Sequence, residues 1–458
     1  MEERLLQWCR RLIACPSVTT IGTRAVADFC VAEMLAPCGI TAHVLPSASH
    51  GADNVNLIAT IPGREERLTP LVFNTHLDTV PPGDLALWTA CGSEPFNPHL
   101  EGDRIYGLGT ADTKLDFAAK VSALAGRRPR RTVFLIGSFG EERGLLGAHE
   151  MVSSGLLPPR GLAYVGEPSS LGVVTAHKGL MVFELEITFT PLRGSEDVVK
   201  RAIFRGRSTH SSTPHLGENA IKKALLAAAA NPENEVRALS GGDAVNKVAA
   251  SCELLMSGDA SALGGVHHAE PHRGAPLGHR LPHDALRALS QFIAGLERFA
   301  QSSGPSEPDY AAPTLTCNPG VVRSTERAIS LEFELRPPPS LSLESVRSGV
   351  AAVIAEVGAG FPALRLTLRE SRANPGYRAA LDSEVVTMAM EAQAKAGLPL
   401  MTGVKAGCTE AGVYAAAGLT PVVFGPGPSE GNIHAPNEYN LLSEVEAAAR
   451  FYRELIEL

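Results

Sequence analysis

The sequence predicts an α/β protein with an α+β domain inserted into it, on three observations. Continuous apolar runs alternate with helical stretches in the first half, the same alternation returns near the end, and short strands of a different pattern fill the middle. The length of 458 residues also exceeds the size at which a single core keeps growing, so two domains are expected.

In the first half, VNLIATI (55–61), LVFNTHLDTV (71–80), TVFLIGSF (132–139) and LAYVGE (162–167) each end in polar or Gly-rich turns, with helical stretches at 112–126 and 143–154 between them. Apolar strands separated by helices belong to a sheet covered on both faces. The pattern returns in helices 383–396 and 409–417, the strand PVVFG (421–425) and an amphipathic helix from Ser443. In the middle, FELEITF (183–189), VRALSGG (236–242), VAASCELLM (248–256), LTCNPGVV (315–322), AISLEFEL (328–335) and LRLTLRE (364–370) read as strands, punctuated by helices near 217–230, 284–302 and 343–357. The insert is therefore placed at 181–372, between outer segments 1–180 and 373–458. The segment 258–282, rich in Gly, His and Pro, reads as a surface loop. The spacing of His267, His268, His272, His279 and His283 fits no closed tetrahedral metal pattern.

Bulk properties narrow the function. A net charge of −8 argues against a general nucleic-acid binder, which needs a basic face for phosphates. No stretch approaches the roughly 18 apolar residues of a membrane span, and the start MEERLLQWCRRLIACPSV lacks the pattern of a secretory signal. The eight cysteines are scattered without a CxxC pair, so reduced thiols and a cytoplasmic location are expected.

Five segments carry acids or histidines at the ends of apolar strands or in the turns that follow, the edge where the turns of an α/β sheet converge on a ligand. THLDTVPP (75–82) offers His76, with Asp78 two residues on to fix its tautomer. YGLGTADTKLD (106–116) offers Asp112 after a glycine turn; the third glycine of a dinucleotide fingerprint is missing. SFGEERGLLGAHE (138–150) places Glu141 and Glu142 side by side, where a cation or solvent would relieve their repulsion. YVGEPSS (164–170) offers Glu167, and GPGPSEGNIHAPNE (425–438) presents His434. Two histidines with several carboxylates suit zinc, cobalt or manganese. Three ligating carboxylates and one hydroxide balance two divalent cations, so two ions are expected.

These five segments, in this order, resemble the family of acetylornithine deacetylase, succinyl-diaminopimelate desuccinylase and carboxypeptidase G. The resemblance implies a zinc-exopeptidase-like catalytic domain with a mixed sheet between helices and an inserted lid. It implies that His76 and Glu167 complete one metal site, Glu142 and His434 the other, with Asp112 bridging them, Asp78 orienting His76, and the Asp112–Thr113 peptide cis. Glu141 would be the catalytic base, taking a proton from the attacking water and passing it to the leaving amine. RGRSTHSSTPHLGENA (205–220) is similar to the family's lid segment, whose histidine, here His210, stabilises the oxyanion. A serine nucleophile among Ser208, Ser211 and Ser212 is the rival reading, without a G-x-S-x-G elbow. GGDAVNKV (241–248) resembles the turn whose asparagine, Asn246, holds substrate, and FELRPPP (333–339) the strand whose Arg336 grips a substrate carboxylate.

The chain departs from that pattern in several places. Asn246 and Arg336 lie roughly ninety residues apart instead of on one hairpin, a plan similar to the monomeric peptidase V-like branch. That plan implies an active site self-contained in one chain, whether or not the chains associate. Leu108 stands where many relatives have arginine, and Thr113 where methionine or aspartate is common. AGCTEAG (406–412) looks most like the acetylornithine deacetylase version, so Glu410 either faces a cationic substrate side chain or, with Thr409, caps a helix. The expected activity is hydrolysis of the amide of a small N-acyl amino acid or dipeptide with a free carboxylate. Deacylase and dipeptidase both stay open, and a catalytically silent binding homologue is the alternative from another class.

Overall fold

The computed structural model describes residues 2–260, 263–273 and 278–458. Two compact units are formed, one from Met1–His177, Tyr377–Lys405 and Thr409–Leu458, the other from Lys178–Gly376 with Ala406–Cys408.

The first unit is built on a nine-stranded mixed sheet. Its central strands Val133–Ser138, Leu71–His76, Leu162–Gly166 and Thr420–Val423 run parallel, each completely or almost completely buried. Burial on both faces is why they read as continuous apolar runs. Antiparallel strands Val55–Ile61 and Ala42–Pro46 extend one side, and Val173–His177 with Tyr377–Arg378 the other; Thr402–Lys405 adds in parallel to Val173–His177. The helix Lys114–Leu124 packs on Leu71–His76 and under Leu442–Leu455, and is buried along its whole length. The expected mixed sheet between helices is thus present. Ala42–Pro46 and Val173–His177 were absent from the sequence reading. The first is a half-exposed edge strand held through its backbone, and such a strand carries little apolar signal.

The second unit is an eight-stranded antiparallel sheet in the order His268–Pro271, Lys200–Arg205, Ser251–Ser257, Glu235–Gly241, Thr316–Ser324, Ala328–Arg336, Leu180–Thr188, Arg365–Asn374. Helices Ala220–Ala230, His283–Ser302 and Leu343–Gly360 cover it, capped by Asn219 and Ser342 where those side chains accept the first free amides. The core closes on Phe183 and Phe333, stacked 5.4 Å apart, with Phe292 edge-on to Phe333. The segment read as a surface loop instead contributes the strands His268–Pro271 and His279–Arg280. Both are short, the first mostly exposed and the second half-buried, and they pair through main-chain groups that polar side chains do not advertise.

Adjacent residues of a strand point to opposite faces, and Asn74 and Thr75 each meet a buried polar cluster. On one face Thr75 and Tyr452 donate to Asp116 at 2.6 Å each, and Lys120 Nζ lies 2.6 Å from the same carboxylate, all fully buried or nearly so. Lys120 also donates to the carbonyls of Asn74 and Tyr164, tying three elements together. Gly166 is required beside this cluster, since a Cβ there would stand 2.1 Å from Asp116 Oδ2. On the other face Asn74 and Glu410 share Ser138, whose hydroxyl accepts from Asn74 and donates to Glu410 at 2.7 Å. Glu410 Oε1, Asn74 Oδ1 and the Tyr414 hydroxyl are buried there without a hydrogen-bond partner.

Two outcomes follow. Removing one partner of a buried ion pair strands the other, so Lys120→Met should cost roughly 3–5 kcal/mol in denaturant unfolding; an unchanged midpoint would contradict this account of the cluster. Burial first, opposed by the His76 charge and the Ser138 hydrogen bond, pushes Glu410 up to about 7. A carboxyl raised in the folded state contributes stability that is complete below its unfolded value and lost as pH rises through about 7. Glu410→Gln should therefore gain on wild type between pH 5 and pH 8, by on the order of 3 kcal/mol, when metal-free proteins are compared by thermal unfolding.

Candidate metal centre and substrate residues

Parallel strands end on the same edge of a sheet, and that edge gathers the acids and histidines of the first unit. His76 is the last residue of its strand; Glu141 and Glu142 follow Val133–Ser138, Glu167 follows Leu162–Gly166, and the loop after Thr420–Val423 carries His434. Asp112 stands two residues before the helix Lys114–Leu124, at a cis Asp112–Thr113 peptide, as the resemblance implied.

Among the described residues, ligand-type side chains meet in two groups: His76, Asp112 and Glu167, and Asp112, Glu142 and His434, with the ligand atoms of each group within 4.8 Å of one another. Asp112 belongs to both. Its Oδ1 lies 2.9 Å from His76 Nε2 and its Oδ2 3.2 Å from His434 Nε2, which is also 2.9 Å from Glu142. Burial resists ionisation of Asp112, but the His434 and His76 hydrogen bonds outweigh it and hold the carboxyl below its usual range. Burial likewise resists protonation of His434, yet Asp112 and Glu142 push it up to about 11. Glu141 is buried beside Glu167, and the two effects, burial first, raise its carboxyl well above the ordinary value.

The supporting hydrogen bonds come from backbone amides. Asp78, 1% exposed, accepts from the amides of Glu141 at 3.1 Å and Glu142 at 3.4 Å, so it positions both glutamates. His76 Nδ1 meets the Asp78 carbonyl at 3.1 Å, closer than the carboxylate at 3.6 Å. Asp78 thus orients His76 chiefly through its main chain. His434 sits in the left-handed region at φ 56°, a conformation that costs a non-glycine residue about 1–3 kcal/mol.

Two residues escaped the sequence reading. Glu438, 1% exposed, accepts with one oxygen from the amides of Gly109, Ala111 and Asp112 at 2.8–3.1 Å. It ties the loop of His434 to the turn of Asp112, and burial, then the Asp112 charge, pushes it up to about 7. The amides of the glycine turn are therefore spent on a carboxylate of the protein itself. Lys405 Nζ lies 2.6 Å from Glu167 Oε2. An acid closing the quoted 425–438 loop was a visible signal for Glu438; Lys405 gave none, because its partner is 238 residues away.

The remaining candidates fall differently. Glu410 is 1% exposed and its carboxylate is committed to the interior of the first unit, so the structure gives no support to its facing a substrate cation. Thr409, fully buried, accepts from the Ala411 amide at 3.2 Å, the local helix-start contact weighed as the alternative. In the second unit, His210, Asn246 and Arg336 come together. The Ser211 amide donates to the Asn246 carbonyl at 3.1 Å, and Arg336 donates to the Ser211 hydroxyl at 3.3 Å. Arg336 is buried, not a surface residue, and also donates to Glu334 at 2.6 Å. His210 Nδ1 meets the Ser212 hydroxyl at 2.7 Å and the Ser212 amide at 3.2 Å, which fixes the ring through that nitrogen. Ser211 and Ser212 are themselves buried, a poor setting for the rival serine nucleophile. None of His267, His268, His272, His279 and His283 enters either ligand group; His283 bonds to the Ala229 carbonyl instead.

The geometry has counterparts among known proteins. Residues 72–458 match Peptidase family M20/M25/M40. Over 278 residues the chain is 31% identical to the acetylornithine deacetylase of Pasteurella multocida (strain Pm70), covering 54% of this chain and 66% of that protein. The chain thus spans just under two thirds of that relative's length. Its fold is similar to that of aminoacylhistidine dipeptidase from Vibrio alginolyticus, with a TM-score of 0.69 at 17% identity over 99% of this chain and 96% of that one. It is also similar to a dinuclear metal binding peptidase of the M20 family from Bacillus subtilis, with a TM-score of 0.58 at 15% identity over 99% and 96%. On the strength of a match running from residue 72 to the last, this chain belongs to Peptidase family M20/M25/M40.

Proposed function

We propose that the protein hydrolyses the amide bond of a small N-acyl amino acid or dipeptide with a free carboxylate, using two divalent cations, zinc first among them. The observation that carries this reading is the division of one buried carboxylate, Asp112, between two ligand groups, with one oxygen turned to each histidine. The donor set fits such ions: imidazole nitrogens and carboxylate oxygens converge, and both kinds are ligands of zinc, cobalt and manganese. In this reading His76 and Glu167 complete one site and Glu142 and His434 the other. Bound there, the ions would polarise the scissile carbonyl and lower the pKa of the attacking water.

The chain's own residues do the rest. Glu141 receives the proton of the water as its oxygen attacks the carbonyl carbon, and returns it to the amide nitrogen as the C–N bond breaks, leaving a carboxylate and a free amine. Its raised proton affinity suits a group that must hold and then release a proton. Asp78 keeps Glu141 and Glu142 in place through their amides. From the second unit, whose residues 181–372 we take as a lid, His210 would donate from Nε2 to the carbonyl oxygen as it becomes negative, while Asn246 and Arg336 would hold the substrate and its carboxylate. The partner is then a small molecule, and the reaction lies in the cytoplasm, consistent with the absence, among the described residues, of any helix long and apolar enough to cross a membrane. The acetylornithine deacetylase likeness supports a deacylase and the dipeptidase fold likeness a peptidase; both share this chemistry.

The test is a panel of N-acyl amino acids and dipeptides, basic ones included, on metal-stripped protein restored with zinc, cobalt or manganese. Activity should vanish with the metal and return with about two ions per chain; full activity in the stripped protein would sink the reading. Glu141→Gln should bind its metal normally yet lose about 100- to 10,000-fold in kcat. Mixing His210→Ala with Glu141→Ala chains should restore no activity if each chain completes its own site, whereas recovery would show sites shared between subunits.

A further inference from the structure

Lys405 ends the strand Thr402–Lys405, and its ammonium lies 2.6 Å from Glu167 Oε2, with the lysine side chain 20% exposed and the glutamate 7%. The charges that act on it most are those of Glu167, Asp112 and Glu141, so the ammonium belongs to the candidate metal centre although it can ligate nothing. The other cationic partners of these carboxylates are the imidazoles of His76 and His434. An imidazole can lose its proton and become a ligand, whereas an ammonium stays a rival charge.

We propose that Lys405 is a resident counter-ion that competes with a divalent cation for Glu167, and so sets the affinity of the His76–Asp112–Glu167 group for its metal. The inference rests on the two-cation reading above. Two effects oppose each other. Lys405 holds Glu167 in one orientation, and losing that restraint frees a side chain whose ordering is worth a factor of at most about thirty. Against it stands repulsion between the ammonium and a doubly charged ion sharing one carboxylate, which inside a protein exceeds that factor. Repulsion wins, so the lysine weakens metal binding. In the metal-free protein its sign reverses: there it relieves the repulsion among Glu167, Glu141 and Asp112 and stabilises the fold.

Replacing Lys405 should thus move two quantities in opposite directions. Zinc chloride is titrated into metal-stripped full-length protein against a competing chromogenic chelator, and thermal midpoints are measured with and without zinc. Lys405→Met should tighten one of the two zinc affinities by about tenfold or more and lower the zinc-free midpoint, so the zinc-induced rise in midpoint grows. Lys405→Arg keeps the charge and should stay within about threefold of wild type. In a Glu167→Gln background, Lys405→Met should change zinc affinity far less. Binding by Lys405→Met that is unchanged or weaker, while wild type takes up two ions, overturns the competition and leaves the hydrolase reading intact. If wild type takes up no zinc at all, both fall together.

Discussion

Everything at the sheet edge answers to one constraint: Asp112, Glu141, Glu142 and Glu167 are held close together in a buried place where carboxylates repel. Inside a protein such repulsion is worth several kcal/mol per close pair at an effective dielectric of about 20. It persists only because the backbone leaves the side chains no alternative. Four parallel strands deliver their ends to one edge, and two further acids fix the turns around it. Asp78 holds the Glu141–Glu142 turn, and Glu438 holds the Gly109–Asp112 turn, each through main-chain amides. Using carboxylates to bind amides in a region already crowded with negative charge raises the cost further, and it favours any cation that settles among them.

The layer beneath is built to resist that pressure. Asn74 and Thr75 precede His76, and both are locked by buried polar partners on opposite faces of the sheet. Lys120 donates to the carbonyls of Asn74 and Tyr164, so one ammonium couples the strand of His76 to the strand that leads into Glu167. An apolar interior would cost less, since burying charges is paid for only when every group is satisfied. The polar version gives direction: a strand end anchored at both faces fixes the backbone from which the His76 ring reaches Asp112 and the Asp78 carbonyl.

How much of this was legible depended on the range of the interaction. His76, Asp112, Glu142, Glu167 and His434 stood out as acids and histidines at strand ends or in the turns that follow, a property of local sequence, and the fold brings them into two ligand-type groups. The core of the second unit was likewise readable from apolar periodicity in strands such as Ala328–Arg336, buried in alternation through most of its length. What failed to show was partnership across the chain. Lys405 looks like any lysine near a strand end until Glu167 is beside it, and Glu410 looks like a recognition residue until Ser138 and Asn74 enclose it. Edge strands such as His268–Pro271 failed for a different reason: their bonds are made by main-chain groups, which every sequence possesses.

The second unit solves a sequence-distance problem with sheet geometry. Its two hairpins join where Ser240 and Gly241 pair with Arg323 and Val322, and that join brings the turn of Asn246 beside Thr316–Ser324, whose Asn318 donates to the carbonyls of Val245 and Lys247. The strand carrying Arg336 is next in register, so roughly ninety residues of separation collapse into neighbouring strands. The loop of His210 is stitched to the same turn, through Ser211 to Asn246 and through Val248 to Thr209. The same loop holds the His210 imidazole. Its Nδ1 lies 2.7 Å from the Ser212 hydroxyl and 3.2 Å from the Ser212 amide, so the loop fixes the ring through that one nitrogen. The buried Arg336 of the neighbouring strand is likewise held, its guanidinium 2.6 Å from the Glu334 carboxylate that offsets its charge.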